Sequence, residues 1–348
     1  MIQRKTLLIV LGGAILLSSL APRTAFSAGN DEPTIIAVGD IHGDYEAFRS
    51  ILSEASLIDS DGDWTGGDKI FVQTGDIPDR GPDTRRILEH LQKLQKQAKK
   101  SKGEVVTLLG NHEALNITRD LRYVHKGEYD AFTNKRSDRV RNQTYEANRQ
   151  NIELSYQEKD PTLTPEDIKR QWEAEYPLGA LEHQVAWSPR GEVGKWVIKN
   201  KAVAIVNGNL FAHGGLSEKY TAYDISDINK AAKQALKNQD LSLESIINDP
   251  LGPLWYRGLV QRDAAKPIEG ESTLSREEEL NLILDRYDAK RVIVGHTPSV
   301  SGIKAHFGSK LIQIDTGASA YYSGTRSYLR IEGDKVYAHD NGVVRALN

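Results

Sequence analysis

No cysteine occurs in the 348 residues. Disulfides, thiolate zinc sites and lipid carried on cysteine are thereby excluded. Stability has to come from the core, and any metal has to be held by His, Asp, Glu or Asn. Positive charge is not in excess either. The formal net charge is −3, whereas nonspecific nucleic-acid binding needs a basic stripe, so no nucleic-acid partner is expected. Internal repeats and low-complexity linkers are missing, and 39% hydrophobic residues over this length can bury one large core. A single domain over 28–348 is the expectation. Long apolar runs are absent except near the start. There Leu7 to Leu20 spans 14 residues, short of the roughly 20 that a bilayer crossing needs.

That start reads as a signal peptide, residues 1–27. Arg4 and Lys5 precede the apolar run, and Ala25-Phe26-Ser27 follows it with small residues where a signal peptidase reads, placing cleavage after Ser27. Residues 1–27 carry Arg4, Lys5 and Arg23 and no acid, so the mature charge falls from −3 to −6. The mature protein is expected to be periplasmic or secreted, with no stable membrane insertion after cleavage.

Residues 34–113 alternate between two periodicities. Thr34 to Val38, Ile70 to Val72 and Val105 to Leu109 are short continuous apolar runs, read as buried strands. Between them, Tyr45, Phe48, Ile51, Leu52 and Ala55 follow helical spacing from Asp44. Ile87, Leu88, Leu91, Leu94 and Ala98 do so after Pro82. Asp59-Ser60-Asp61-Gly62-Asp63 has the acids of a calcium loop, but its twelfth position is Ile70 rather than Glu, so it reads as a turn. Strand–helix–strand–helix–strand implies a parallel sheet, with ligands beyond the carboxyl ends of its strands. Residues 114–185 are polar and poor in aliphatic runs, a mainly helical insertion in which Thr164-Pro165-Glu166-Asp167 starts one helix. Asn207-Gly208-Asn209 between two apolar runs signals a hairpin. Glu277 to Tyr287 reads as a helix feeding the strand Arg291 to Val294. Strands near 302–316 and 327–338 close the chain. The class is α/β.

Each early strand ends in chemistry. Gly39-Asp40-Ile41-His42-Gly43 closes the first, Gly75-Asp76-Ile77-Pro78-Asp79-Arg80-Gly81 the second and Gly110-Asn111-His112-Glu113 the third, the last as a turn. Of nine histidines, His42, His112, His213 and His296 stand beside glycines at strand ends. Any one alone is more often a satisfied structural histidine; four in one context, joined by Asp40, Asp76 and Asn111, point to a metal site. Asp40 and His42 can share an ion, Asp76 can bridge two, and Asn111, His213 and His296 complete the second. Imidazole, carboxylate and amide donors suit manganese, iron or zinc, divalent or trivalent. Arg257, in the loop after Asp249, reads either as a phosphate clamp or as a surface arginine. Trp255 and Tyr256 read as packing residues, with substrate contact open for Tyr256.

The order of these motifs resembles that of the calcineurin-like metallophosphoesterases, covering 39–317, and within them the phosphoprotein phosphatase branch, through Asp79-Arg80 and Glu113. The resemblance implies a two-sheet βαβ core with flanking helices. It implies Asp40, His42 and Asp76 on one metal, with Asp76, Asn111, His213 and His296 on the other. It implies His112 as general acid oriented by Asp79, Arg80 on phosphate oxygens, and attack by a hydroxide bridging the ions. Pro78, Pro253-Leu254-Trp255-Tyr256-Arg257-Gly258 and Gly295-His296-Thr297-Pro298 depart from the eukaryotic Ser/Thr enzymes. They are similar to the Shewanella-like protein phosphatases, a group with a cold-active tyrosine phosphatase. A phosphomonoesterase acting on phosphoproteins, phosphotyrosine among them, is therefore implied. A hydrolase of small phosphate esters or dinucleoside polyphosphates is the alternative, and a metal-binding protein without turnover a third reading. Glu113 is expected to support the site from behind.

Overall fold

The computed structural model describes residues 32–263 and 265–347; the signal-peptide expectation lies outside them. Glu32–Asn348 forms one compact unit. The described residues open with strand β1 (Ile35–Val38), helix α1 (Tyr45–Glu54), β2 (Ile70–Gln73), α2 (Thr84–Lys100) and β3 (Glu104–Thr107). The three strands pair in parallel, as the alternation predicts. Asp44 caps α1 by accepting the Ala47 N–H at 2.8 Å, a bond type worth about 1 kcal/mol. The acidic turn is one: Asp59 accepts the N–H groups of Asp61 and Asp63, and Asp63 pairs with Lys93 at 2.5 Å.

Between β3 and the next strand the chain is mainly helical. Helices run through α3 (Asn111–Thr118), α4 (Ser137–Gln157), α5 (Pro165–Glu175), α6 (Ala180–Trp187) and α7 (Glu192–Val197). The expected insertion, 114–185, falls within this helical stretch. Thr164 and Asp167 form the capping box of α5. A buried Glu128–His183 pair at 3.0 Å ties the segment between α3 and α4 to α6, and Thr84 of α2 donates to the same carboxylate at 2.7 Å.

The second half builds another sheet from β4 (Val203–Val206), β5 (Asn209–Ala212), β6 (Arg291–Val294), β7 (Lys304–His306) and β8 (Leu311–Gln313). Helices α8 (Ile225–Asn238) and α9 (Arg276–Tyr287) lie between β5 and β6 in the chain. Asn207 and Gly208 both have positive φ, 47° and 72°, which gives the hairpin its tight turn. The last strands, β9 (Ser327–Glu332), β10 (Lys335–Asp340) and β11 (Val343–Ala346), return to the first sheet, where β9 pairs antiparallel with β1. The orders are β11-β10-β9-β1-β2-β3 and β4-β5-β6-β8-β7.

The apolar runs are continuous because their strands are buried on both faces. Ile35, Ala37, Ile70, Val72, Phe211, Ile293 and Ile312 share the core between the sheets. Their neighbours Ile36, Val38, Phe71, Leu210, Val292 and Val294 join the helices in the other core, through residues such as Phe48, Leu91, Ile228 and Ile283. This alternation follows from the two-residue period of a strand. Among the described residues, no helix is long and apolar enough to cross a membrane.

Candidate active site

The carboxyl ends of β1, β2 and β3 from one sheet and of β5 and β6 from the other converge on a cleft of about 170 Å³. Asp40, His42, Asp76, Asn111, His112, His296, Arg80 and Arg257 line it. Larger grooves of about 410 and 690 Å³ lie on α8 and on the insertion. They bring no comparable set of donors together, so chemistry and not size marks the site. His213 stands fully buried behind the cleft.

Asp76 is the hub. Its carboxylate lies 3.7 Å from His42 Nε2, 3.8 Å from His112 Nε2 and 3.3 Å from His213 Nε2. It also accepts the His112 backbone N–H at 3.0 Å. Asp40 stands 3.9 Å from His42 Nε2 and from His213 Nδ1. His42 uses Nδ1 on Pro78 O at 3.1 Å, and His213 uses Nδ1 on Thr74 O at 3.0 Å. Each bond leaves Nε2 turned inward, the arrangement that prepares an imidazole for a metal. His213 Nε2 is also 3.0 Å from Asn111 Oδ1.

Three observations fit these residues to cations. His296 Nε2 is buried without a partner. Two groups of potential donors, His42-Asp76-His112 and Asp76-His213-His296, share Asp76. Several acids also crowd one another. Burial, then Asp315 and Asp76, raise Asp40 well above the ordinary carboxyl range. Burial lifts Asp315 to about 6, and burial followed by Asp76 lifts Glu113 to about 7. A cluster of carboxylates that resists ionising is one that bound cations would relieve.

The acid–base pair shares His112 with the first of the two donor groups. His112 Nδ1 meets Asp79 Oδ2 at 2.5 Å. Asn116 donates to Asp79 Oδ1 at 2.9 Å and to the His112 carbonyl at 3.0 Å, fixing both partners. Burial opposes the charge on His112, but Asp76 and then Asp79 overcome it and raise its pKa.

The backbone here is held in conformations that non-glycine residues avoid. His42, Asp76, Asp79, Arg80 and His296 have φ of 48°, 54°, 73°, 68° and 62°, each a strain of roughly 1–3 kcal/mol. Glu113 explains how one of these turns is kept. Fully buried, it accepts the N–H groups of Gly110 at 2.7 Å, Asp76 at 3.0 Å and Ile77 at 2.8 Å. Gly110 is required by proximity, since a Cβ there would lie 2.1 Å from Asp76 Oδ1.

Gly110-Asn111-His112-Glu113 is thus not a turn. Gly110 caps α3, and the other three residues form its first turn. Of the other expected residues, Asp40, His42, Asp76, Arg80, His296 and Arg257 line the cleft, whereas His213 and Asp79 are buried behind it. The Arg257 Nη donates to His296 O and, at 3.2 Å, to Thr297 Oγ1, which decides against a surface arginine. Tyr256 is fully buried and donates to Glu279 at 2.7 Å, so it packs and does not meet substrate. Trp255, read as packing, lines the cleft edge-on to His296 at 5.8 Å.

Sequence reasoning missed Asp315, Tyr123, Tyr322 and Asn116. Asp315 carries the same signal as the others, an apolar strand run closed by Asp-Thr-Gly. Asn116 is one helical turn after His112. Tyr123 and Tyr322 carry no local signal.

The model of the calcineurin-like phosphoesterase family matches residues 33–300. An uncharacterised protein of Schizosaccharomyces pombe is 32% identical over 315 residues, covering 86% of this chain and 77% of its own. Shewanella-like protein phosphatase 2 of Arabidopsis thaliana is 31% identical, over 82% and 71% respectively. The cold-active protein-tyrosine phosphatase of a psychrophilic Shewanella superposes with a TM-score of 0.66 at 25% identity, over 91% of this chain and 81% of that one.

Proposed function

The chain belongs to the calcineurin-like phosphoesterases, among the Shewanella-like protein phosphatases, and on that footing we propose that it is a metal-dependent phosphomonoesterase of phosphoproteins, directed to phosphotyrosine. The observation that carries the reading is the buried His112–Asp79 pair at 2.5 Å, with His112 at the edge of two donor groups that share Asp76. A protein that only stored metal would need no general acid.

Asp40, His42 and Asp76 would hold one ion; Asp76, Asn111, His213 and His296 would hold the other. Such ions, when bound, supply Lewis acidity to phosphoryl oxygens and lower the pKa of water. The nitrogen and oxygen donors favour manganese, iron or zinc. Arg80 and Arg257 bind the phosphate oxygens and stabilise charge developing on them. His112 keeps Nδ1–H on Asp79 and delivers the Nε2 proton to the departing oxygen. Support for phosphotyrosine comes from the cold-active relative and from the aromatic side chains of Tyr123, Trp255 and Tyr322 lining the cleft.

Hydrolysis of a phosphopeptide panel beside p-nitrophenyl phosphate and diadenosine tetraphosphate tests the reading. Phosphotyrosine peptides are expected to turn over fastest. Preference for the dinucleotide would establish the small-molecule alternative. Full activity of chelator-stripped protein would refute the metal-dependent mechanism. Elemental analysis names the ions. Export to the periplasm or medium is proposed on the character of residues 1–27, and N-terminal sequencing of the mature protein, expected to begin at Ala28, tests it.

A further inference from the structure

Arg80 is tethered from three directions. Its backbone N–H donates to Tyr123 O at 3.0 Å. Its guanidinium carbon lies 4.4, 4.8 and 5.8 Å from the ring centres of Tyr123, Tyr321 and Tyr322. One Nη donates to the Tyr321 hydroxyl at 2.9 Å. Nε, by contrast, is buried without a partner. A guanidinium is a planar fork, so one ring face and one fixed Nη determine where the other donors point. Nε is therefore a donor with no protein acceptor, available to an oxygen in the cleft that Arg80 lines.

Tyr321 and Tyr322 arrive on a loop closed at its neck. The Gly324 N–H donates to Gly317 O at 2.8 Å and the Thr325 N–H to Thr316 O at 3.1 Å. Gly317 has φ 58°, and a Cβ on Gly324 would lie 2.0 Å from Thr316 O, so the neck admits only glycine without rearrangement. Asp315 Oδ1 accepts the Gly317 N–H at 2.9 Å. The Ala320 N–H donates to Asp44 Oδ2 at 2.8 Å. Asp44 is thus shared between this loop and the α1 cap. The Tyr322 ring lies 5.5 Å from that of His42. Tyr321 itself is 58% exposed, so its ring contributes little to the core while its hydroxyl is committed to Arg80.

We propose that Tyr321 is a positioning residue that sets the Arg80 fork for a phosphoryl group, with the Gly317–Gly324 loop as a strap across the mouth of the cleft. This rests on the reading of Arg80 as a phosphate clamp. Tyr321 touches no reacting atom; it acts through Arg80 alone.

Tyr321→Phe removes one oxygen and keeps the ring. The KM for p-nitrophenyl phosphate and the competitive Ki of inorganic phosphate are expected to rise together, about three- to tenfold, the range of one hydrogen bond. The loss in kcat/KM is expected to come mainly through KM, with the melting temperature retained. In an Arg80→Ala background the same substitution should add nothing. In an active enzyme, unchanged or lowered KM and Ki, or an equal effect without Arg80, would overturn the proposal and leave the phosphatase reading intact. Wild-type protein that turns over no phosphate ester would overturn both.

Discussion

His112 Nδ1 and Asp79 Oδ2 lie 2.5 Å apart, and the other Asp79 oxygen is occupied by Asn116 at 2.9 Å. The carboxylate therefore cannot turn away from the imidazole. Asp79→Asn keeps the shape and removes the anion that helps hold the imidazole charged. It should lower kcat about 10²-fold, the low end for loss of a tuned general acid. Because the raised pKa of His112 falls with the anion gone, the alkaline limb of the kcat–pH profile should move to lower pH. A limb that stays in place would assign the proton to another group.

His112→Asn separates proton donation from metal binding. Tyrosine leaves as a phenolate with a pKa near 10, whereas serine leaves as a far more basic alkoxide and depends more on protonation. The variant should retain two ions per chain and lose more activity on a phosphoserine peptide than on p-nitrophenyl phosphate. Since His112 also stands within donor range of His42 and Asp76, loss of an ion would make it a ligand instead.

Asp76 belongs to both donor groups and His296 to only one. Asp76→Ala should take the metal content from two ions to fewer than one per chain. His296→Ala should leave about one. Elemental analysis after gel filtration reads the difference, and equal losses would contradict a shared Asp76.

The strands of 34–113 were legible as continuous apolar runs because they are buried on both faces, and the helices because each buries one face at a period of 3.6 residues. Asp40, Asp76 and Asn111 were legible because polar side chains interrupt apolar runs. The helical start at Asn111 was hidden because Gly110 offers no capping side chain. Glu113, three residues on, was the one capping signal present, and it read as chemistry rather than as a cap. Asp315 followed the strand-end rule but had no histidine beside it. Tyr123, Tyr321 and Tyr322 meet around Arg80 only through tertiary folding, which no local pattern encodes.

Glu113 links the site to pH. In the metal-free protein, burial and then Asp76 lift its pKa from an ordinary 4.5 to about 7. A group with a raised folded pKa contributes fully below its unfolded value, and that contribution is lost as pH rises through the folded one. The advantage in melting temperature of metal-free wild type over Glu113→Gln should therefore shrink between about pH 4.5 and 7. A constant difference across that window would show that Glu113 ionises normally.

The site also joins ends that are remote along the chain. The His296 N–H meets both oxygens of Asp40 at 3.2 Å across 256 residues of sequence. Tying an unfolded polymer at such separation removes much of its freedom; a covalent cross-link over a loop of 100 residues is worth about 5 kcal/mol. This chain has no cysteine with which to make one. Ions gripped from both sheets would take that place as reversible cross-links, so the lifetime of the protein against proteases would follow the rate at which it exchanges metal.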